Sequence, residues 1–313
     1  MQELKKWLQK TPYSEGKLSV ASSDASFRKY YRLVVGTKSY ILMDASLEKH
    51  SLDAFIDVTH RLRSGGVHAP SIVYEDKERG YLLLEDFGTT NFYECLQSSD
   101  YKRWYAKAID ILVVMQEVTT NNLPLYDRDF LQQEMELMQI WYLEKKLALQ
   151  LSDSIGEMLT TTLHKILDVV EEQPCDVFVH RDFHSRNIMV LEDETLGIID
   201  YQDARKGAVT YDLVSLLKDC YIAFEREDIE KLALSFRDKK GLHVSDAMFL
   251  KWFDFMGLQR HIKVLGIFSR LFLRDAKENY LQDIPLTRRY VIETAKRYEE
   301  TLPLALFLEE FTQ

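Results

Sequence analysis

The densest group of polar residues in the chain lies in VFVHRDFHSRNIMVLEDETLGIIDYQDARKGAVTYDL, where an apolar run meets His180-Arg181-Asp182 and is followed by Asn187 and Asp200. Phosphoryl transfer asks little covalent chemistry of a protein. It requires a carboxylate near a nucleophilic hydroxyl and hard oxygen ligands for a divalent cation. Asp182 is therefore the candidate catalytic residue, orienting an acceptor hydroxyl and taking its proton, and Asn187 and Asp200 are candidate ligands for Mg2+ on the phosphates. His180 is read as support for the loop through a hydrogen bond to backbone. HxDxxxxN taken alone also describes a turn, so the flanking apolar strands and Asp200 carry the reading.

Those residues need elements to position them. Val, Ile and Leu runs predict short strands over 177–179, 188–191 and 196–199 around the polar cluster. Earlier, runs rich in Tyr, Val, Ile and Leu predict strands over 30–35, 39–43 and 81–84, bounded by Gly36 and Gly80. Leu52, Phe55, Ile56, Thr59 and Leu62 fall at helical spacing, with Gly65-Gly66 as a stop. After Gly88 the pattern turns helical, through Trp104, Ala108, Ile111, Leu112 and Met115 and again through Ile155, Leu159, Leu163 and Ile166. The expected fold class is α+β, with a small sheet-rich lobe over 1–87 and a mainly helical lobe over 88–313.

Composition narrows the field. With 46% hydrophobic and 29% charged residues over 313 positions, the chain can bury a substantial core. A net charge of −10 argues against nucleic acid as a partner, since that requires a basic face. Three cysteines without CxxC spacing suggest neither a disulfide framework nor zinc, and fit a reducing cytoplasm. No run approaches the ~20 apolar residues of a membrane span. A soluble, cytoplasmic, monomeric protein is expected.

The segment from Val177 to Asp203 resembles the catalytic and metal-binding loops of the aminoglycoside phosphotransferase and choline kinase superfamily, relatives of protein kinases. The resemblance implies a bilobal protein-kinase-like fold, ATP as phosphoryl donor, and a further aspartate that opens the next helix and braces the catalytic loop. In TYDLVSLLKD that residue is Asp212. A closer resemblance runs along nearly the whole chain, in SSDASFRKYYRL, SYILMDAS, GYLLLEDFG, FVHRDFHSRN, IIDYQDA and GLQRHIKVLGIFSRLFLRDAKENYL. These look like the N-acetylmuramate/N-acetylglucosamine anomeric kinases, which implies phosphorylation of an amino sugar at C1 in cell-wall recycling.

On that resemblance, GYLLLEDFG joins the lobes and offers the Glu85 carbonyl and Phe87 amide to adenine. Ser22, Ser23 and Ser26 stand where a kinase places its phosphate-covering loop, although a serine-rich hairpin turn explains them equally and no GxGxxG is present. Met43 or Asp44 occupies the place of the usual strand lysine, so Arg28 or Arg32 must supply the positive charge. On the acceptor side, Arg181, His184, Tyr201 and Asp203 are the candidates, with structural anchoring of the metal loop as the alternative for the last two. Arg260, His261, Lys263, Arg270 and Arg274 form a basic helical series that either meets an acidic sugar or pairs with Asp275 and Glu278. Two rivals stand beside the amino-sugar kinase. One is a kinase for another hydroxyl compound such as an aminoglycoside, choline or homoserine; the other is a nucleotide-binding regulatory protein without turnover.

Overall fold

The computed structural model describes residues 2–22, 28–98 and 100–311. They open with α1 (Gln2–Leu8), β1 (Lys17–Ser22), β2 (Lys29–Val35), β3 (Lys38–Asp44), α2 (Leu52–Ser64), β4 (Ile72–Asp76) and β5 (Tyr81–Glu85). There follow α3 (Phe92–Leu96), α4 (Tyr101–Met115), α5 (Arg128–Leu137), a π-helical stretch Met138–Lys146, α6 (Asp153–Val170), β6 (Val177–Val179), β7 (Ile188–Val190), β8 (Leu196–Ile198) and β9 (Arg205–Gly207). The remainder is helical, with α7 (Tyr211–Leu217), α8 (Arg226–Lys240), α9 (Asp246–Asp275), α10 (Ile284–Ala295) and α11 (Leu302–Phe311). The chain divides into two compact units, Met1–Phe92 with Asn187–Asp203, and Tyr93–Arg186 with Ala204–Gln313.

In the first unit, five antiparallel strands run in the order β1-β2-β3-β5-β4. Alternation along the strands sorts their side chains between two faces. Leu33, Leu42, Leu83, Tyr31 and Tyr81 form one face and pack on Leu4, Trp7 and Leu8 of α1. Met43 and Leu82, one position along, are buried on the other. The expected helix is α2, whose stripe of Leu52, Phe55, Ile56, Thr59 and Leu62 is buried and whose end lies at Gly65 and left-handed Gly66, φ +83°. β1 and β4 were not expected. In β4 the middle residues are exposed, so IVYED carries no apolar alternation to read.

The second unit is built around α9, which is buried nearly all round between Phe253 and Ser269, with α5, α6, α7, α8 and α10 packed against it. Close approach sets one residue of α9. A Cβ on Gly266 would stand 2.3 Å from the Leu137 carbonyl carbon, where α5 passes into the π-helical stretch. Serine and aspartate side chains start the helices as their types predict: Asp127 accepts from the Phe130 N–H, Ser152 from Ile155 and Ser245 from Met248. A buried ion cluster ties the C-terminal end of α7 to α8 and α9. Asp254 accepts from Lys218 Nζ at 3.2 Å, from Arg226 at 2.6 and 2.8 Å and from the Tyr298 hydroxyl at 2.9 Å. Burial works against its charge, but Lys218 and Arg226 hold its carboxyl down at about 2.

Candidate active site

In the helical unit, the His180-Arg181-Asp182 loop leaves β6 through a strained turn. Arg181 has φ +78°, a conformation that costs a non-glycine residue free energy and needs surrounding structure to hold it. Asp212, fully buried at the start of α7, supplies that hold. Its two oxygens accept the peptide N–H groups of His180 at 2.7 Å and Arg181 at 3.0 Å. Burial pushes the Asp212 carboxyl up to about 7, against the two peptide donors. His180 is also fully buried, and its Nδ1 accepts from the Asp182 N–H at 3.2 Å. Further along the loop, Asp219 accepts from the Ser185 N–H at 2.9 Å.

Asp182 stands half-buried at the end of this turn. Burial raises its carboxyl, yet Lys263, His184, Arg181 and Arg260 outweigh that and hold it below the usual carboxylate range. A carboxylate kept ionised beside a hydroxyl can accept a proton from it. Two of those cations share one carboxylate: Glu134 of α5 accepts from Arg181 at 2.8 Å and pairs with Lys263 Nζ at 3.0 Å. Lys263 also donates to the hydroxyls of Tyr126 at 3.2 Å and Tyr211 at 3.1 Å. Arg260 donates to Ser215 Oγ at 2.6 Å.

These contacts revise the reading of the basic helical series. Arg260, His261 and Lys263 are buried inside the unit, and Arg274 pairs with Asp275 at 2.8 Å. Glu134 was not among the expected site residues, and Lys263 and Arg260 were expected only as members of a basic face, not as neighbours of Asp182. The signal for Lys263 and Arg260 is charge inside an otherwise apolar helical run, MGLQRHIKVLGIF; Glu134 lies outside it. Arg181, expected to meet substrate, turns its guanidinium to Glu134 and lies over the Tyr126 and Phe130 rings at 5.3 and 5.5 Å. His184 is half-buried, its ring edge-on to Tyr221 at 5.3 Å. Burial keeps that imidazole below its ordinary value, against the charges of Asp219 and Asp182.

In the sheet-rich unit, a hairpin brings Asn187 and Asp200 together. β7 and β8 pair Ile188 with Ile198, and the Ile199 N–H donates to the Asn187 carbonyl at 3.1 Å, closing the ends of the hairpin. Asn187 Nδ2 then lies 3.3 Å from Asp200 Oδ2, and Gln202 Nε2 donates to Asp200 Oδ1 at 3.0 Å. Asp200 too is left-handed, φ +65°. One carboxylate and one carboxamide are hard oxygen donors, the set Mg2+ takes when phosphates and water complete its shell. No group of three His, Cys, Asp or Glu side chains gathers as a metal site among the described residues, so an all-protein cage is absent from them. Asp203 is exposed, within 3.5 Å of Gln202 Nε2.

Tyr201 departs from the expectation of substrate contact. It is fully buried, stacked on Phe55 at 5.2 Å, and its hydroxyl shares a 2.9 Å hydrogen bond with Thr59 of α2. No surface of its ring is left for a sugar. Arg28 departs likewise from the expectation of an open phosphate-binding cation: it is 7% exposed, donates to Ser51 Oγ at 2.8 Å and stands 3.8 Å from Glu48. Arg32 is taken up by Asp86 of the connector at 2.6 and 3.0 Å. Asp86 also accepts from the Gly88 N–H at 2.9 Å, which makes it the brace of this segment. The Glu85 carboxylate is held by Ser71 at 2.9 Å, and the Phe87 ring lies against Gly197, where a Cβ would stand 2.4 Å from it. Ser22 ends β1 opposite Tyr30, while Ser23 and Ser26 lie outside the described residues. No helix among the described residues is long and apolar enough to cross a membrane.

Comparison with known proteins agrees with this geometry. The chain is 35% identical over 320 residues to the N-acetylmuramate/N-acetylglucosamine kinase of Neisseria meningitidis serogroup B, covering 98% of this chain and 95% of that one. It is 38% identical over 304 residues to the protein of the same name from Pseudomonas aeruginosa, covering 94% and 88%. Among solved structures it resembles the choline kinase LicA from Streptococcus pneumoniae, with a TM-score of 0.65 at 14% identity over 93% of this chain and 99% of that one, which establishes the fold. Residues 17–242, from β1 to the end of α8, match the phosphotransferase enzyme family model, and with the Asp182 loop, the Asn187–Asp200 hairpin and these relatives in agreement, the chain belongs to that family.

Proposed function

We propose that this protein is an ATP-dependent kinase that phosphorylates the anomeric hydroxyl of N-acetylmuramate or N-acetylglucosamine, in the cytoplasm. The observation that carries the reading is the Asp182 loop: a carboxylate held ionised by buried cations, on a turn clamped by both oxygens of Asp212. Asp182 orients the acceptor hydroxyl and takes its proton as the acceptor oxygen bonds to the γ-phosphorus and the bond to the β-phosphate oxygen breaks, leaving ADP. Asn187 and Asp200 would hold Mg2+, which when bound neutralises charge on the phosphates. The connector backbone at Glu85 and Phe87 receives adenine, and His184 and Asp203 are carried forward as candidates for contact with the acceptor. The amino-sugar substrate is supported by the names of relatives that span nearly all of the chain. Free Cys95, Cys175 and Cys220 are consistent with a reducing compartment.

Purified protein with magnesium, ATP and a panel of sugars and other alcohols tests this. ADP should form with N-acetylated amino sugars, and phosphorus NMR should place the phosphate on C1. Asp182→Asn should lower kcat about 100-fold or more while ATP still binds. Turnover of choline or an aminoglycoside in place of amino sugars would overturn the substrate, and ATP binding without turnover in the wild type would overturn catalysis.

A further inference from the structure

In the sheet-rich unit, a cavity of about 530 Å³ opens between α1, the 3-10 turn Lys49–Ser51 and the hairpin that joins β4 to β5. That volume suits a small organic molecule. Among the described residues, none from the Asp182 loop, the connector or the Asn187–Asp200 hairpin lines it. Aromatic rings form one wall. Trp7 meets Tyr81 at 5.0 Å and Tyr74 edge-on at 5.9 Å. Trp7 and Tyr81 are buried, whereas Tyr74 is 36% exposed, so its ring is open to a ligand. The Trp7 indole N–H donates to Asp76 Oδ2 at 2.8 Å and fastens α1 to β4 within this wall.

Charge in the cavity is unbalanced. Lys6, Lys10, Lys49 and Arg79 line it against two carboxylates, Glu3 and Asp76, four cations less two anions, in a chain whose net charge is −10. Lys6 pairs with Glu3 at 3.2 Å and Arg79 with Asp76 at 2.9 Å. Asp76 is fully engaged, accepting from the Trp7 indole and from both the backbone and the side chain of Arg79. Two ammonium groups are left over. Among the described residues, exposed Lys49 has only the Glu78 carbonyl as an acceptor, at 2.7 Å, and exposed Lys10 has no ion pair. They come from different elements, the end of α1 and the 3-10 turn, and border one opening. A cleft lined by one sign of charge concentrates ions of the other.

We propose that this cavity is a second ligand site, separate from the site of phosphoryl transfer, and that it takes a small organic phosphate. A phosphate monoester carries about −1.5 to −2 charge at neutral pH, which matches the two surplus cations. Lysines bind such a group as point charges. The body of the ligand, a base or a sugar ring, covers Tyr74. Bound there, it bridges α1 to the turn that leads into α2. The proposal does not depend on which alcohol the enzyme phosphorylates.

The Trp7 indole N–H is the reporter, followed in 15N-labelled protein without magnesium and assigned by its loss in Trp7→Phe. Pyrophosphate, ADP and glucose 1-phosphate are titrated in turn. At least one should shift the Trp7 signal saturably. In Lys10→Gln/Lys49→Gln, which changes two exposed side chains and leaves the melting temperature in place, the concentration at half-shift should rise about 10-fold or more, while the KM for ATP stays put. A shift with ADP but not with glucose 1-phosphate makes the ligand a nucleotide, and the reverse makes it a phosphorylated sugar; either upholds the site. A Trp7 signal that none of the three moves overturns the proposal. So does a shift that survives unchanged in the double variant, or a parallel rise in the KM for ATP.

Discussion

The two acidic loops of this protein are held in opposite ways. Asp182 follows a left-handed Arg181 whose turn is fixed by buried groups: Asp212 on two peptide N–H donors, His180 on a third, and Glu134 on the Arg181 guanidinium. Asp200 is itself left-handed, but it stands exposed and accepts from the amides of Asn187 and Gln202. The difference matches the tasks proposed for them. A proton acceptor works best prearranged, with its charge settled before substrate arrives. A magnesium ligand keeps its oxygens accessible, because the ion enters with the phosphates.

Substitutions that attack each loop sharpen this contrast, and they rank by their effect on stability. Glu134→Gln removes the carboxylate shared by buried Arg181 and Lys263, so unfolding in denaturant should show a loss of about 3–5 kcal/mol. Asp212→Asn replaces one acceptor oxygen with a donor that faces a peptide N–H. Stability should fall about 1–3 kcal/mol, and kcat should fall further than either KM rises. Lys263→Met removes the first-ranked cation acting on Asp182. The Asp182 carboxyl lies below its ordinary value, so its own protonation should limit kcat/KM only on the acid side of the ordinary carboxylate range; in Lys263→Met that acid limb should move to higher pH. Asp200→Asn should change stability by no more than about 0.5 kcal/mol. It should instead raise the magnesium concentration needed for half-maximal rate, and a large loss of stability there would erase the contrast.

Legibility in the sequence followed from how local each arrangement is. Asn187 and Asp200 could be paired because one hairpin closes the span between them, and Asp212 could be placed because it opens the helix that follows. Strands marked by apolar runs, such as β2, β3 and β5, lay where the pattern put them, whereas exposed β4 carried no pattern at all. Side-chain direction was harder. Tyr201 adjoins Asp200 in sequence, but its side chain is turned inward to Thr59. Arg28 has the right chemistry for phosphate, but it is spent on Ser51. Glu134 and Lys263 come together from distant helices, and nothing short of the folded unit places them beside each other.

The Phe87 ring occupies the space that a side chain on residue 197 would need. Because a ring lying on bare backbone leaves no room to slide, the connector and the hairpin that bears Asp200 are obliged to travel as one piece. A fluorine label on Phe87 should therefore act as a listening post for both, registering a displacement of either in a single resonance.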